Sequence, residues 1–432
     1  MSPSEDRISG LPDEILCHII SFLPSEQISL TSLLSKRWNR VWLAMPNADW
    51  ISALPVEILC RILYLLPFKQ IMATAFLSKR WRRIHTKMTD INLDDIPYLH
   101  DEMTLNYFYN RVVLFLHHIE HTLNTFTFVS AGPSETDLDI MLAHREVEHL
   151  NITFLNSSSF PTLIMPYSAF TMSTLVEVNL NGLTIDHLQI VGTNLPSLKI
   201  LHFTNVHLLK LKFLFKLLSV SPLLEDLLLK NLQVTVKTFP DGAIESLKPF
   251  PKLLKVDISD SDLSCCLLPL KLFYNVEFLR TQVALQSLEE DLSATKFLNL
   301  THLELSFEDK YYWNWLIEFI RGCPILQYLV IRKIGGGYGL LSDDDVQSWL
   351  YPQFVPECLS SQLQMFSFGN YGGKESDLQF TKYIIQNARV LRNVTIYRHN
   401  SSSNPPEEEE QKMIKELHLC QRGSDLCQLH FE

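Results

Sequence analysis

A short apolar pattern recurs along the middle of this 432-residue chain and restricts its fold more than any other feature. The pattern is apolar–x–x–apolar–x–apolar, and successive copies begin 23 to 29 residues apart. Apolar residues that alternate over so few positions indicate a short β-strand with one buried face. The copies are LNTFTF (123–128), VEHLNI (147–152), LVEVNL (175–180), LKILHF (198–203), LEDLLL (224–229), LLKVDI (253–258), VEFLRT (276–281), LTHLEL (300–305) and LQYLVI (326–331).

A repeat period in the twenties is typical of leucine-rich repeats, in which each unit contributes one strand. Helical patterns lie between some of the strands, and those at 211–222 and 311–324 both end in proline, which is common after a helix. One repeat cannot bury its own apolar face, so neighbouring repeats must stack around a shared core. The predicted fold class is α/β: a curved leucine-rich-repeat solenoid of parallel strands with intervening helices.

Residues between the apolar positions of each strand point away from the core, so they predict the binding surface. They mix amides, charges and apolar groups, as a protein-binding face does. Thr127 and Asn151 begin this series. The candidate target-binding residues are Asn179, His202, Leu228, Asp257, Arg280, Glu304 and Val330.

A second repeat, with a different sequence, lies at the N-terminus. Residues 8–38 align with residues 51–81 without a gap, and 19 of the 31 positions are identical, including LSKRW in both copies. Each copy starts with Leu-Pro, which suits the first turn of a helix, and continues with apolar residues at helical spacing. A unit this small has more large apolar residues than it can bury, and surplus apolar surface indicates a partner.

The two copies resemble a known family. LPDEILCHIISFLP…LSKRWNRVW resembles the F-box of plant F-box proteins, and LPVEILCRILYLLP…LSKRWRRI resembles a second one. The resemblance implies docking onto the Skp-type adaptor of an SCF (Skp–cullin–F-box) ubiquitin ligase. The alternative is an ordinary helical subdomain whose leucines and tryptophans are core residues. The positions that match the family's adaptor-facing pattern are Leu11, Pro12, Ile15, Leu16, Leu34 and Trp38, with Leu54, Pro55, Ile58, Leu59, Leu77 and Trp81 in the second copy.

The family pattern favours the first copy as the main adaptor dock. Asp13 follows Leu-Pro and Trp42 completes RWNRVW there, whereas the second copy has Val56 and His85 at those places. The charge balance favours the second copy instead, because residues 51–93 carry a net charge of +5 and the family's adaptor is acidic. The connection between the copies is short, so we expect one adaptor per chain.

The C-terminal segment at 355–396 resembles the FBD module that follows leucine-rich repeats in plant F-box proteins. Strands at 363–368 and 391–396 with a helix at 376–388 would cap the open edge of the solenoid. We expect a polar surface loop at 401–410 and a last strand at 427–431. The expected domains are two F-box-like modules at 1–49 and 50–95, the solenoid at 96–354 and the FBD-like domain at 355–432.

Composition narrows the class of protein. The net charge of −11 argues against a nucleic-acid-binding protein, which needs a broad basic face. The N-terminus has no apolar signal core and no apolar run approaches membrane length, so neither export nor membrane insertion is expected. The eight scattered cysteines are therefore expected to be reduced, in the nucleus and/or the cytoplasm.

Motifs for catalysis are missing from the sequence. HHIEH (117–121) has spacing that zinc hydrolases use, but no third ligand accompanies it. The chain has no Cys-x-x-Cys pair and no Gly-x-Ser-x-Gly nucleophile elbow. We therefore predict no metal, no cofactor and no catalytic residue.

The predicted function is substrate recognition in an SCF-type ubiquitin ligase. The F-box region would bind the Skp-type adaptor, and through it cullin, while the repeats would bind a target protein. A non-degradative scaffold or an adaptor decoy is the alternative from another class. An enzyme on a repeat scaffold is a third interpretation.

Overall fold

The structure is a computed structural model that forms two compact units, Met1–Met88 and Thr89–Glu432. It describes residues 11–21, 35–38, 41, 54–119, 122–131, 135–142, 146–155, 163–186, 194–236, 248–259, 270–283, 296–307, 313–334, 349, 351–371, 375–398 and 407–432.

The first unit is helical where it is described. Pro55 and Pro67 directly precede two of its helices, because proline has the backbone angle of a first turn and no N–H to leave unpaired. Its helices are α1 (Asp13–Ser21), α2 (Val56–Tyr64), α3 (Phe68–Thr74) and α4 (Lys79–His85).

The second unit is built on one large parallel sheet. Its strands follow chain order as neighbours, and every described pair in it is parallel. The strands of this 13-stranded sheet are β1 (Asp90–Asp94), β2 (Leu123–Ser130), β3 (Val147–Phe154), β4 (Glu177–Asn181), β6 (Ile200–Thr204), β8 (Asp226–Lys230), β10 (Lys255–Ser259), β11 (Phe278–Val283), β12 (His302–Phe307), β13 (Tyr328–Lys333), β14 (Met365–Tyr371), β15 (Asn393–Arg398) and β16 (Gln428–Phe431).

Helices and a smaller sheet connect these strands. The small parallel sheet contains β5 (Thr184–Ile185), β7 (His207–Lys210) and β9 (Gln233–Val236). The helices are α5 (Glu102–His117), α6 (Glu135–Leu142), α7 (Leu211–Ser219), α8 (Trp313–Arg321), α9 (Glu357–Ser361), α10 (Glu375–Asn387) and α11 (Glu407–Leu419), with short 3-10 turns at Ile96–Tyr98, Tyr167–Phe170 and Leu270–Phe273.

The repeated apolar positions form the core. Leu201, Leu227, Leu279, Leu303 and Leu329 occupy the same place in different repeats, and each is fully buried. Burying one such side chain contributes about 1.5–3 kcal/mol relative to exposure. All nine predicted repeat strands overlap observed strands, and the α/β class is confirmed. The parallel sheet in chain order is consistent with a leucine-rich-repeat solenoid.

One backbone conformation recurs just after the strands. Gly182, Asn205 and Asn231 each follow a strand with positive φ angles of 74°, 51° and 49°. Each donates its N–H to the last residue of the next strand of the sheet, at 3.0–3.1 Å. Glycine and asparagine are the residues that adopt this conformation at least cost. At Gly182 any side chain is excluded, because a Cβ would lie 2.1 Å from the carbonyl oxygen of Phe154.

The structure differs from the sequence analysis at both ends of this unit. β1 (Asp90–Asp94) pairs with β2, although its residues were expected in the second F-box-like module. The predicted loop at 401–410 is wrong for residues 407–410, which begin α11. Prolines precede this helix in sequence and glutamates fill its first turn, and both favour a helix start. The other domain boundaries stay predictions.

A buried carboxylate ties the first strands to α5. Asp95 is fully buried, and its side chain accepts hydrogen bonds from the Tyr109 hydroxyl at 2.6 Å and the Ser130 hydroxyl at 2.5 Å. The backbone N–H of Ala131 donates to the other carboxylate oxygen at 3.2 Å. These bonds join the end of β1, the end of β2 and the middle of α5.

We expect Asp95→Ala to destabilise the second unit by about 3 kcal/mol, because it removes a buried acceptor that several donors share. The neighbouring Asp94→Ala is the matched control, since Asp94 is exposed and accepts only a local bond from the Ile96 N–H. Urea unfolding of the full chain, followed by far-ultraviolet circular dichroism, measures both. Equal loss in the two variants would contradict the role given to Asp95.

Candidate functional sites in the helical unit and on the sheet

The two copies of the helical unit form the same internal hydrogen bonds 43 positions apart. The Ser35 hydroxyl accepts from the Trp38 N–H at 3.2 Å, and the Ser78 hydroxyl accepts from the Trp81 N–H at 3.3 Å. Ser78 is the N-cap of α4, where such a bond satisfies a free helix donor. The serine of LSKRW therefore begins a helix.

The arginine of LSKRW reaches back to the start of its own copy. Arg37 Nη2 donates to the Leu11 carbonyl at 2.5 Å, and Arg80 Nη2 donates to the Leu54 carbonyl at 2.7 Å. In the first copy Arg37 also pairs with Asp13 at 2.9 Å, whereas Val56 supplies no carboxylate at the matching place. Each arginine thus holds its Leu-Pro turn against the LSKRW segment.

The tryptophan of LSKRW is a core residue in both copies. Trp38 and Trp81 are 7% and 4% exposed, and Leu16 and Leu59 are fully buried. Trp38 and Leu16 belong to one apolar cluster with Val41. These four predicted adaptor-facing residues therefore lie inside the protein in this conformation, as the alternative interpretation of an ordinary helical core expected for them.

The remaining predicted adaptor-facing residues lie nearer the surface. Pro12 and Pro55 are exposed, and Leu11 and Leu54 are half-buried. Leu34 lies outside the described residues. Ile15, Ile58 and Leu77 are 46%, 45% and 66% exposed.

Two further apolar residues of the helical unit are strongly exposed. Leu65 is 76% exposed and Phe76 is 83% exposed, both in the second copy. The sequence analysis did not assign either residue to the adaptor. Their exposure was not visible in the spacing, because buried and exposed apolar residues share the same helical period.

On the sheet, parallel pairing places the predicted target-binding residues in a single row, which we call the central row. The register aligns Asn179 with His202, His202 with Leu228, and Leu228 with Asp257. It then aligns Asp257 with Arg280, Arg280 with Glu304, and Glu304 with Val330. Thr127 and Asn151 continue the row towards β2, and Ser367 and Thr395 continue it into β14 and β15.

Charged residues in the central row form hydrogen bonds with one another. Arg280 donates to Glu304 at 2.7 and 2.9 Å and to Asp257 at 3.0 Å. The hydrogen bonds to Glu304 are the main reason that the pKa of Arg280 is raised. Asp257 is only 7% exposed and accepts a hydrogen bond from Arg280, and its role in target contact stays a prediction.

A second polar network covers the N-terminal half of the face. Asn179 Nδ2 donates to Asn151 and to Glu177, both at 2.6 Å, and His149 Nδ1 lies 2.9 Å from Glu177. Burial raises the pKa of Glu177, but the hydrogen bonds from His149 and Asn179 outweigh it and hold the pKa below its ordinary value. Glu177 is therefore charged at neutral pH, and this half of the face is hydrophilic.

Sequence reasoning missed a parallel row two residues upstream in each strand. Its C-terminal half contains Phe278, His302, Tyr328 and Met365, which pair in register across β11 to β14. The His302 and Tyr328 rings are stacked with centroids 3.9 Å apart. The signal was present in the third position of each repeat pattern, which also faces away from the core.

The cysteines and the candidate metal pattern at 117–121 are only partly described, since Glu120 and His121 lie outside the described residues. Cys17, Cys60, Cys323, Cys358, Cys420 and Cys427 are free thiols, whereas Cys265 and Cys266 lie outside the described residues. No group of three or more potential metal ligands occurs among the described residues. The described helices include none that is both long and apolar enough to cross a membrane.

We expect Ser78→Ala to weaken α4 by about 1 kcal/mol, because the Trp81 N–H loses its capping acceptor. Lys79→Ala is the matched control, since this exposed neighbour follows the cap. Hydrogen exchange of residues 78–85, read by mass spectrometry, should become about fivefold faster in Ser78→Ala alone. An unchanged rate would show that the serine does not hold the helix start.

We expect Cys323 and Cys358 to resist alkylation by iodoacetamide at pH 8 in the native chain. Burial raises the pKa of Cys358 to about 12 and that of Cys323 well above its ordinary value, so almost no thiolate forms. Both should react after unfolding without reductant, as the predicted reduced state requires. Rapid native labelling, or a pair that stays unlabelled after unfolding, would contradict this expectation.

Comparisons with known proteins match both the duplicated helical unit and the C-terminal part of the sheet. A family profile for the F-box domain matches residues 8–48 and 51–85, and the FBD profile matches residues 351–396. An FBD-associated F-box protein of Arabidopsis thaliana is 28% identical over 99% of this chain and 100% of its own length. An F-box/FBD/LRR-repeat protein of the same plant is 26% identical over 99% of this chain and 100% of its own length.

These comparisons confirm the resemblance on which the sequence analysis relied. Both F-box matches cover the duplicated helical unit, and the FBD match covers α9, β14, α10 and the first four residues of β15. The chain therefore has two tandem matches to the F-box domain and one to the FBD domain, and it resembles the plant F-box/FBD/leucine-rich-repeat proteins over nearly its whole length.

Proposed function

We propose that this protein is a substrate-recognition subunit of an SCF-type ubiquitin ligase. The observation that carries the proposal is the pairing of two F-box matches with a separate 13-stranded sheet whose face carries an ordered row of polar residues. F-box domains in general bind Skp-type adaptors. The sheet supplies the second surface that a receptor needs for its target.

In this proposal the adaptor covers the exposed apolar residues of the helical unit. Ile15 and Ile19 in the first copy are large exposed side chains, and so are Ile58, Leu65, Phe76 and Leu77 in the second. Burying such residues at an interface contributes most of its affinity, and a few anchors usually dominate. Lys79, Arg80, Arg82 and Arg83 follow Leu77 closely in sequence, and their charge would suit an acidic partner on the second copy.

The target would lie on the strand face around the central row. Holding a target and a ubiquitin-charged enzyme in one assembly raises their effective concentration, which accelerates transfer to target lysines. The chain would contribute binding surfaces and no catalytic residue. The nucleus and/or the cytoplasm is the proposed location, where such a ligase would meet its targets.

Two measurements separate this function from its alternatives. Cullin should co-purify with the tagged full-length chain through the adaptor, which an unrelated enzyme would not require. A bound target should accumulate when the proteasome is inhibited, which a scaffold or an adaptor decoy would not produce. Co-purification of cullin without any stabilised target would favour the scaffold interpretation.

We expect Ile15→Glu to abolish adaptor binding and Ile58→Glu to weaken it only slightly. Both residues occupy the same exposed place in α1 and α2, so each change puts a charge into the proposed contact without opening the core. The first copy is expected to dominate because Asp13 supports the Arg37 contact with the Leu11 carbonyl. Pull-down with purified Skp-type adaptor measures both variants.

The reverse pattern would assign the dock to the second copy. A ratio of two adaptors per chain, measured by light scattering of the purified complex, would contradict the expectation of a single dock. Thr86→Glu, on the second copy after α4, is a charge control that should leave binding unchanged if the first copy is the dock.

A further inference from the structure

Four side chains that the sequence analysis did not assign form a continuous feature on the strand face. Phe278, His302, Tyr328 and Met365 occupy the same position in β11, β12, β13 and β14, and we call this set the aromatic ladder. The rings of Phe278 and His302 have centroids 6.1 Å apart, and those of His302 and Tyr328 are stacked at 3.9 Å. Met365 is 36% exposed at the end of the ladder.

Contacts with one another and with Arg280 restrain the rings of Phe278, His302 and Tyr328. Arg280 places its guanidinium carbon 5.8 Å from the Phe278 ring centre while Asp257 and Glu304 fix its position. Rings that are ordered before binding lose little conformational freedom when a partner arrives, so more of the contact energy appears as affinity. The rings of the ladder are therefore ordered before a partner binds.

The aromatic ladder and the charged residues beside it have little net charge with which to attract a charged ligand. Arg280 is already hydrogen-bonded to two carboxylates, and Arg332 lies 3.7 Å from Glu304. Burial lowers the pKa of His302, and the charge of Glu304 only partly opposes this, so the imidazole is neutral at neutral pH. A phosphorylated or strongly acidic segment would have to break these pairs to find a cation.

The residues at the ladder's position differ in chemistry between the two halves of the face. Thr125, His149 and Glu177 occupy the ladder's position in β2, β3 and β4 and form the hydrophilic half of the face. Aromatic, methionine and arginine side chains are enriched at the centres of protein interfaces, and only the C-terminal half combines all three. The anchor of a target is thus expected there.

We infer that the aromatic ladder is the anchoring site for the target, and that it takes an uncharged segment presenting aromatic or aliphatic side chains, independent of phosphorylation. This inference rests on the proposed function and narrows its target-binding surface. Met365 comes from the stretch that matches the FBD profile, and so do Ser367 and Thr395 of the central row. The FBD module therefore contributes directly to the recognition face and does more than close the sheet.

The test uses the purified full-length chain and a phage-displayed library of random dodecapeptides, beside a synthetic pool of phosphoserine and phosphothreonine peptides. We expect enrichment of peptides rich in aromatic and aliphatic residues with little charge. The strongest selected peptide should bind about tenfold or more weakly to Tyr328→Ala and to Phe278→Ala. Tyr328→Phe, which retains the stacked ring, should bind nearly as well as the parent.

Thr125→Ala is the matched control, because Thr125 occupies the same row on the hydrophilic half of the face. Circular dichroism of each variant verifies that the fold is retained. Preference for the phosphopeptide pool, full binding by Tyr328→Ala and Phe278→Ala, or failure to select any ladder-dependent peptide would overturn the inference. Adaptor pull-down on the parent chain and the same variants separates the two proposals. If the parent chain does not bind the adaptor, the proposed function is contradicted. Peptide binding reports only on the ladder.

Discussion

Parallel pairing in constant register is the constraint on which the second unit depends. Each strand of the large sheet lies beside the next one in sequence, and equivalent repeat positions become direct neighbours. The leucines of each repeat then stack into one core, and the residues between them stack into rows on the opposite surface. A residue type that recurs at one position of the repeat therefore forms a continuous row on the surface.

Electrostatics on that surface follow from the same register. Asp257, Arg280 and Glu304 come from three repeats, yet pairing brings the guanidinium between two carboxylates. These charged groups pair with one another, so they order the face without giving it a strong net charge. In the proposed target site, contact is assigned to the neighbouring rings of Phe278, His302 and Tyr328, which are half-buried.

The duplicated pentapeptide has a structural explanation in the helical unit. Serine caps a helix, arginine holds the Leu-Pro turn and tryptophan fills the core, and these contacts recur in both copies. Three of the five LSKRW residues are therefore needed by the unit itself. The proposed adaptor contacts use exposed apolar residues outside the pentapeptide, such as Ile15, Ile58 and Phe76, together with Leu77, its first residue in the second copy.

The sequence by itself determined the α/β class, the repeat strands and the membership of the central row. Period-two alternation within each strand and a nearly constant repeat length contain that information, because they fix which side chains share a face. The same patterns missed β1 and the small sheet, whose strands are short and lack the repeated leucines. They also missed the start of α11 within a polar stretch.

Only the tertiary structure decided which of the assigned residues are accessible. Leu16 and Ile15 are adjacent members of the same helical pattern, yet one is fully buried and the other is 46% exposed. The sequence pattern places the charged side chains of Asp257 and Arg280 on the same outward face. In the structure the Asp257 carboxylate is buried and accepts a hydrogen bond from the Arg280 guanidinium. Exposure and pairing depend on neighbours distant in sequence, and a local pattern contains no measure of them.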